Sequence, residues 1–225
     1  MNIKQTHDFI ELLLEKSQSG FFDKETIDLC LDRAQMGALA TYYAQFMETG
    51  YVHDALNPFR VKMSFAAANF LAGGILQTPN DYLYPTGLYG TTSSGGAVVG
   101  YKDSIKLYKE DELGDALTSQ VRQVTSGSPI AYPYGVKAIA FYPIGTYEGV
   151  LHYLRRPAVP KFNYDIVGRQ KVYKAIGSTD MEWGDAYMNI VIMKAIELLG
   201  VNVNDAEIVR FAGAKATSNL GGDKI

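Results

Sequence analysis

Pro129-Ile130-Ala131-Tyr132-Pro133 opens the stretch that decides how this chain folds. Behind it come two alternating runs, residues 136–142 and 150–154, with Pro143, Gly145 and Gly149 between them. Alternation places successive side chains on opposite faces of a strand, so the spacing predicts an antiparallel hairpin across residues 143–149. The step Arg155-Arg156-Pro157 ends it. Two shorter runs, 162–167 and 170–175, meet at Gly168 and predict a second hairpin. Ser178-Thr179-Asp180 then opens a helical region. In it Tyr187, Ile190, Val191, Ala195, Leu198 and Leu199 share a face, and Gly200 is the expected stop.

Working outward to the N-terminus, Thr6 is the expected cap of a short helix to Lys16, with Phe9, Leu12 and Leu13 on one face. Asp23 starts a longer helix to about Glu48. Its Ile27, Leu31, Ala34, Ala38, Tyr42 and Phe46 recur at the three-to-four spacing of one continuous stripe, and Gly50 closes it. The short linker between them predicts an antiparallel helical hairpin. Asn57-Pro58-Phe59 is a turn signal. After it Val61, Met63 and Phe65 alternate with Arg60, Lys62 and Ser64, and residues 66–75 are expected to form a short helix packed through Ala67, Ala68 and Ala72. Residues 78–100 are dense in Gly, Pro and Ser and read as a long loop or a loosely paired hairpin. A short strand at 104–109 and a helical turn at 111–120 follow. Beyond Gly200, Asn204 is positioned to cap a final short helix through Phe211.

The expected fold is α+β, with an N-terminal helical hairpin, central antiparallel β-hairpins and C-terminal helices. Its segments are a helical part (1–76), a Gly/Tyr-rich loop (77–102), a strand region (103–177), C-terminal helices (178–213) and a mobile tail (214–225), together in one domain. Phe59, Tyr142 and the single tryptophan, Trp183, are the expected packing anchors, Trp183 fixing the closing helix against the sheet.

A chain of 225 residues that is 47% hydrophobic and 20% charged has the profile of a globular protein. One cysteine, Cys30, excludes an internal disulfide and suits a reducing compartment. No leader is expected, because the first apolar run, 9–14, is short and ringed by Asp8, Glu11 and Glu15. No run approaches the length that spans a bilayer, so no membrane is expected as a partner. The net charge of −3 argues against a generally basic nucleic-acid binder. Charge is unevenly spread, though: Arg155, Arg156, Lys161, Arg169, Lys171 and Lys174 stand against Asp165 alone between 155 and 174. On a two-stranded ribbon Arg169, Lys171 and Tyr173 can project together. Arg155, Arg156, Arg169, Lys171, Tyr173 and Lys174 are therefore candidate contacts. They could meet DNA phosphates or an acidic patch on a neighbouring subunit, or form a solvated face. Sixteen tyrosines, clustered at 42–43, 82–101 and 132–153, suit surfaces that are wet alone and dry when assembled, as well as half-buried strands.

Catalytic patterns are not evident. The glycines of 87–100 lack the Gly-Lys-Ser/Thr of a phosphate loop. His7, His53 and His152 have no second ligand nearby for a zinc site and read as surface or half-buried residues. Asp180, Glu182 and Asp185 read as acids that satisfy amides and the dipole at a helix start. No cofactor, metal or enzyme activity is expected.

One ordered set of short motifs does carry a resemblance. Leu31-Asp32-Arg33-Ala34-Gln35 lies in the long helix, and Asn57-Pro58-Phe59 follows. Pro129-Ile130-Ala131-Tyr132-Pro133 precedes a strand ending in Tyr142-Pro143. Tyr153-Leu154-Arg155-Arg156-Pro157, Trp183 and Leu198-Leu199-Gly200-Val201 complete it. The set resembles the ring-type connector (adaptor) proteins at the head–tail junction of tailed bacteriophages, those of crAss-like phages of Bacteroides-like hosts in particular. It covers roughly residues 23–212. The resemblance implies a virion protein without active site or cofactor. It also implies many copies, commonly twelve, in a ring that extends the portal's DNA channel. Its neighbours would be the portal protein and other ring or tail proteins, with DNA contact at most non-specific. Another virion component, such as a tail hub or capsid-associated protein, and a cellular tyrosine-rich binding module are the alternatives.

Overall fold

Four helices and eleven strands are described in a computed structural model, over residues 1–16, 22–94, 97–119, 123–135, 137–168 and 170–200. The helices are α1 (Ile3–Lys16), α2 (Lys24–Thr49), α3 (Leu113–Thr118) and α4 (Asp185–Leu198). The strands are β1 (Arg60–Phe65), β2 (Phe70–Leu71), β3 (Ile75–Gln77), β4 (Tyr82–Ser94), β5 (Ala97–Ser104), β6 (Lys106–Leu107), β7 (Ile130–Pro133), β8 (Ala138–Tyr142), β9 (Gly149–Arg155), β10 (Tyr164–Val167) and β11 (Gln170–Tyr173). The chain is α+β, and it forms two compact units: Met1–Pro58 with the chain from Pro157, and Phe59–Arg156 inserted between them.

The first unit is built on α2. Its buried Ile27, Leu31, Ala34, Ala38 and Leu39 follow the three-to-four spacing, and α4 packs along it. Gly50 stops α2 in the left-handed conformation (φ 69°), which costs a residue without Cβ little, and its N–H caps Phe46 O. α1 pairs with α2 in antiparallel register, His7 opposite Asp28 and Glu11 opposite Lys24. Thr6 is not the cap but a buried residue inside α1, where its hydroxyl donates to Asn2 O. The start is instead a capping box between Asn2 and Gln5, each side chain accepting the other's backbone N–H at 3.0 and 2.8 Å. On α4 the buried face is Met188, Val191, Ile192, Ala195 and Ile196, while Ile190 and Leu198 are exposed. The apolar stripe is therefore rotated by about one position from the expected one. Trp183 is buried as expected, and its ring lies 6.2 Å from Tyr42 on α2, so a helix supplies the packing expected of the sheet.

The second unit packs a four-stranded sheet, order β1-β9-β4-β5, against a five-stranded one, order β2-β3-β8-β7-β6. Phe65, Tyr82, Leu88, Leu151 and Tyr153 of the first sheet meet Leu76, Ala131, Ile139 and Phe141 of the second in one core. Phe59, at the entrance to β1, is fully buried, as an anchor should be. Tyr142 is not an anchor: alternation turns Phe141 inward and leaves Tyr142 42% exposed.

Two segments depart from expectation, and a third settles between two readings, for identifiable reasons. Residues 138–142 and 149–155 do not form a hairpin but belong to different sheets. Both are buried runs, and buried runs seek a neighbour on each side: β8 lies between β3 and β7, and β9 between β1 and β4. The true hairpin partner of β8 is β7. Of the two readings of residues 78–100, the loosely paired hairpin is the one found: β4 pairs with β5 antiparallel, with register shifts. Pro85 is tolerated there because it sits beside a register shift, on a part of β4 that pairs with β9 alone. The ring of Tyr89 covers Gly87 so closely that a Cβ would lie 2.9 Å from it. Finally, Ala67, Ala68 and Ala72 are exposed. A single 3-10 turn, Ala67–Asn69, replaces the expected helix, because small side chains offer little to bury and Gly73-Gly74, both at positive φ, turn the chain back into β3. The expected helix from Asn204 and the tail lie outside the described residues.

Strands approach closely at Gly149, where a Cβ would stand 2.3 Å from Tyr89 O and 2.5 Å from Phe65 Cζ. Gly149→Ala should therefore cost about 2–4 kcal/mol of stability through overpacking against backbone. Urea denaturation checks this, and a loss under 0.5 kcal/mol, the range of ordinary surface changes, contradicts it.

Candidate functional site

α2 carries a second stripe beside its apolar one. Glu25, Asp28, Asp32 and Gln35 recur at helical spacing, so they line up along one flank. The chain that returns from the second unit is laid along this flank. Gln35 Nε2 donates to Ala158 O at 2.9 Å and to Asp32 Oδ1 at 3.1 Å. Asp28 accepts twice: from His7 Nε2–H at 2.8 Å and from the Phe162 N–H at 2.9 Å. Glu25 accepts from the Tyr164 hydroxyl and from Lys171 Nζ, the latter at 3.0 Å. The residues 158, 162 and 164 thus pair with 35, 28 and 25, and the return segment runs antiparallel to the helix. His7, expected at the surface or half-buried, is fully buried, and its ring lies 4.6 Å from Phe162. Lys24 Nζ stands 4.7 Å over that same ring and bonds Glu11.

The result is a projecting two-stranded ribbon, β10–β11, clamped at its base. Gly168 (φ 65°) lies between the two strands. The register Tyr164↔Tyr173, Asp165↔Val172, Ile166↔Lys171 and Val167↔Gln170 assigns the faces. One carries Tyr164, Tyr173, Lys171 and Ile166. The other carries Asp165, Val172, Val167 and Gln170. Below the ribbon Lys161 and Thr179 exchange backbone hydrogen bonds, and Asn163 binds Ser178 and Ile176.

The candidate cations fare differently. Lys171 does share a face with Tyr173, but it points to its own α2: besides Glu25 it lies 3.5 Å from Asp23 Oδ1 and 4.5 Å over the Tyr164 ring. Lys174 pairs with Asp165 at 3.1 Å. Tyr173 packs on Phe162, ring to ring at 5.1 Å. Arg155 and Arg156 are not part of the ribbon. They close β9 in the other unit, where the Arg155 guanidinium lies 5.9 Å over the Phe59 ring and the Arg156 N–H donates to Asp81 O. Arg169 lies outside the described residues. The basic segment is therefore divided, and Lys171 and Lys174 are neutralised within the chain.

What stands out on the ribbon instead is apolar. Ile166 is 71%, Val167 63% and Val172 47% exposed, and Ile176 just beyond is 81% exposed. Consecutive Ile166 and Val167 point to opposite faces, so no single packing against α2 could hide both. That adjacency was the available sequence signal; the ribbon contacts of Glu25 and Asp28 had none, since Tyr164 and the Phe162 amide lie more than a hundred residues away.

The acids Asp180 and Glu182 take up amides as expected, but of other segments: Ile3 N–H and Ala158 N–H. No group of three or more His, Cys, Asp or Glu among the described residues could hold a metal ion, and no described helix is long and apolar enough to cross a membrane. A cleft of about 360 Å³ in the second unit is lined by Lys106, Tyr108, Glu112, Asp115 and Ser128, with Lys106 Nζ 4.2 Å over the Tyr108 ring. Compared with models of known protein families and with curated proteins, the chain matches none.

Two predictions follow from the clamp. Hydrogen bonds from Tyr164 and Lys171 hold the Glu25 carboxyl at about 2, below its ordinary 4.5, and Lys171 is raised by the same contact. The folded state thus binds fewer protons at Glu25 than the unfolded one, so its stabilisation is complete above about pH 4.5 and fades as pH falls towards 2. Lys171 acts in the opposite sense, only above its ordinary 10.5. Carboxyl NMR should place the Glu25 midpoint well below those of other glutamates, and ribbon amides should lose protection relative to their intrinsic exchange rates as it protonates. A midpoint near 4.5 contradicts the clamp. Separately, Asp28→Ala strands the buried His7 Nε2–H and Phe162 N–H and should cost about 2–4 kcal/mol, while Asp28→Asn, which keeps an acceptor, should cost less. Denaturation of both variants checks the order.

Proposed function

We propose that this chain is a self-assembling structural subunit of a virus particle, a ring or adaptor protein of the phage head–tail connector. One observation carries the reading furthest: a ribbon rigidly clamped at its base presents isoleucine and valine to solvent on both faces. Exposed strand edges bearing apolar side chains are a hazard for a solitary protein and an asset for one that meets a partner. The chemistry of the ribbon suits docking, since Lys171 and the adjacent Lys174 are already paired within the chain. The ordered motifs of residues 23–212 add the resemblance to connector rings. In this reading the partners are copies of the same chain, with the portal and neighbouring ring or tail proteins above and below. The place of action is the virion. A closed ring joins one patch to a different patch on the next copy, and the net charge of −3 suits a channel through which DNA passes without adhering.

Native mass spectrometry and negative-stain imaging of the full chain test this. A symmetric multimer with a central hole is the expected species. A chain that stays monomeric at high concentration overturns the proposal.

A further inference from the structure

We infer that the outward face of β1 and β9 is a binding site for a phosphate-type oxyanion, held between Lys62 and His152 with Arg60 and Ser64 beside them. The site lies wholly within the second unit, so it stands whether or not the chain forms a ring. Alternation builds it. Val61, Met63 and Phe65 turn towards the core, so Arg60, Lys62 and Ser64 turn away from it, and all three are exposed. On β9, Leu151 and Tyr153 go inward and His152 outward. The register sets Lys62 directly opposite His152, a position in which Cβ atoms stand about 4.5–5.5 Å apart.

Three features distinguish this face from a merely solvated one. Basic side chains gather on it without a compensating acid, because the row through Lys62 continues to His152 and Gly87, and the row through Arg60 to Leu154 and Tyr84. Like charges opposite one another across a strand pair repel. The strain is visible at His152, where burial and then the charges of Arg60 and Lys62 hold the imidazole below its ordinary 6.5. His152 Nε2 is also buried and makes no hydrogen bond among the described residues, an unmet polar atom in a row of cations. Finally, the ring is already placed: Tyr89 covers Gly87 and meets His152 edge-on at 5.4 Å, so little ordering is left for a ligand to impose. A metal cation would add to the repulsion. An oxyanion relieves it, and its several oxygens can accept from ammonium, guanidinium, imidazolium and hydroxyl donors together.

The groups facing His152 are Arg60 and Lys62 from β1 and Tyr89 from β4. Protonating His152 adds a positive charge and a donor to this set, so oxyanion binding should tighten as pH falls below 6.5. Imidazole NMR at about pH 6 tests the site, with sodium phosphate compared against sodium chloride at equal ionic strength. The His152 resonance, assigned with His152→Gln, should shift saturably with phosphate and not with chloride. Lys62→Gln, an exposed change, should weaken phosphate binding by about fivefold or more, while Lys109→Gln, at an exposed lysine elsewhere in the unit, should leave it unchanged. In His152→Gln, calorimetry should find phosphate binding that no longer tightens with falling pH. Binding of a short oligothymidylate that is tighter than that of phosphate, and equally sensitive to Lys62→Gln, assigns the oxyanion to a phosphodiester. Saturable binding of phosphate alone assigns it to a free ion. A shift that chloride reproduces, or a phosphate affinity that Lys62→Gln leaves intact, overturns the site.

Discussion

The polar flank of α2 is the constraint from which the first unit takes its shape. Three carboxylates and one amide, at Glu25, Asp28, Asp32 and Gln35, stand one helical turn apart and point the same way. Asp28 is central. Its two oxygens join three segments that are far apart in sequence: α1 through His7, α2 itself, and the returning chain through the Phe162 amide. A carboxylate that is this nearly enclosed is tolerable only because both oxygens accept hydrogen bonds, and removing either donor leaves a costly orphan. Acids near a helix N-terminus also sit favourably in the field of its free amides. The same side chains therefore serve α2 locally and the tertiary structure at a distance.

That constraint explains why Lys171 is a poor candidate for meeting DNA. Glu25 holds Lys171 and Tyr164 at once, and the mutual shifts of Glu25 and Lys171 show how strongly each favours the other's charged form. The pair is partly exposed, so its value lies less in stability than in orientation. It fixes the tilt of β10–β11 on the helix and leaves the opposite face, with Val167 and Val172, turned outward. A residue count that sees only positive charge between 155 and 174 misses this, because the compensating acids lie in another part of the chain.

Local periodicity was readable wherever one helix or strand sets its own pattern. The buried stripe Ile27-Leu31-Ala34-Ala38, the stop at Gly50 and the pairing across Gly168 all follow from spacing within about twenty residues. Reading failed where partners compete. The runs around Ile139 and Leu151 look like hairpin arms, yet each is apolar enough to demand neighbours on both sides, and only separate sheets supply them. Pro85 and Gly87 signal a loop locally, but a one-sided pairing and the Tyr89 ring make the strand possible. The clamp residues were illegible for a simpler reason: a carboxylate on a helix surface looks solvated until a donor from 139 residues away arrives.

A clamped apolar ribbon differs physically from a loose one. A flexible arm would lose conformational freedom on docking, and that loss subtracts from affinity. Here the bonds from Asn163, Tyr164, Lys171 and Lys174 have already ordered the arm when the subunit folds. In the proposed assembly the remaining driving force is the burial of Ile166, Val167 and Val172, which grows with the area covered and needs no exact polar match. On the proposed docking, rigidity and adjacency together favour a partner with a matching apolar edge at a fixed angle, and repeated identical angles are what turn a chain of contacts into a closed ring.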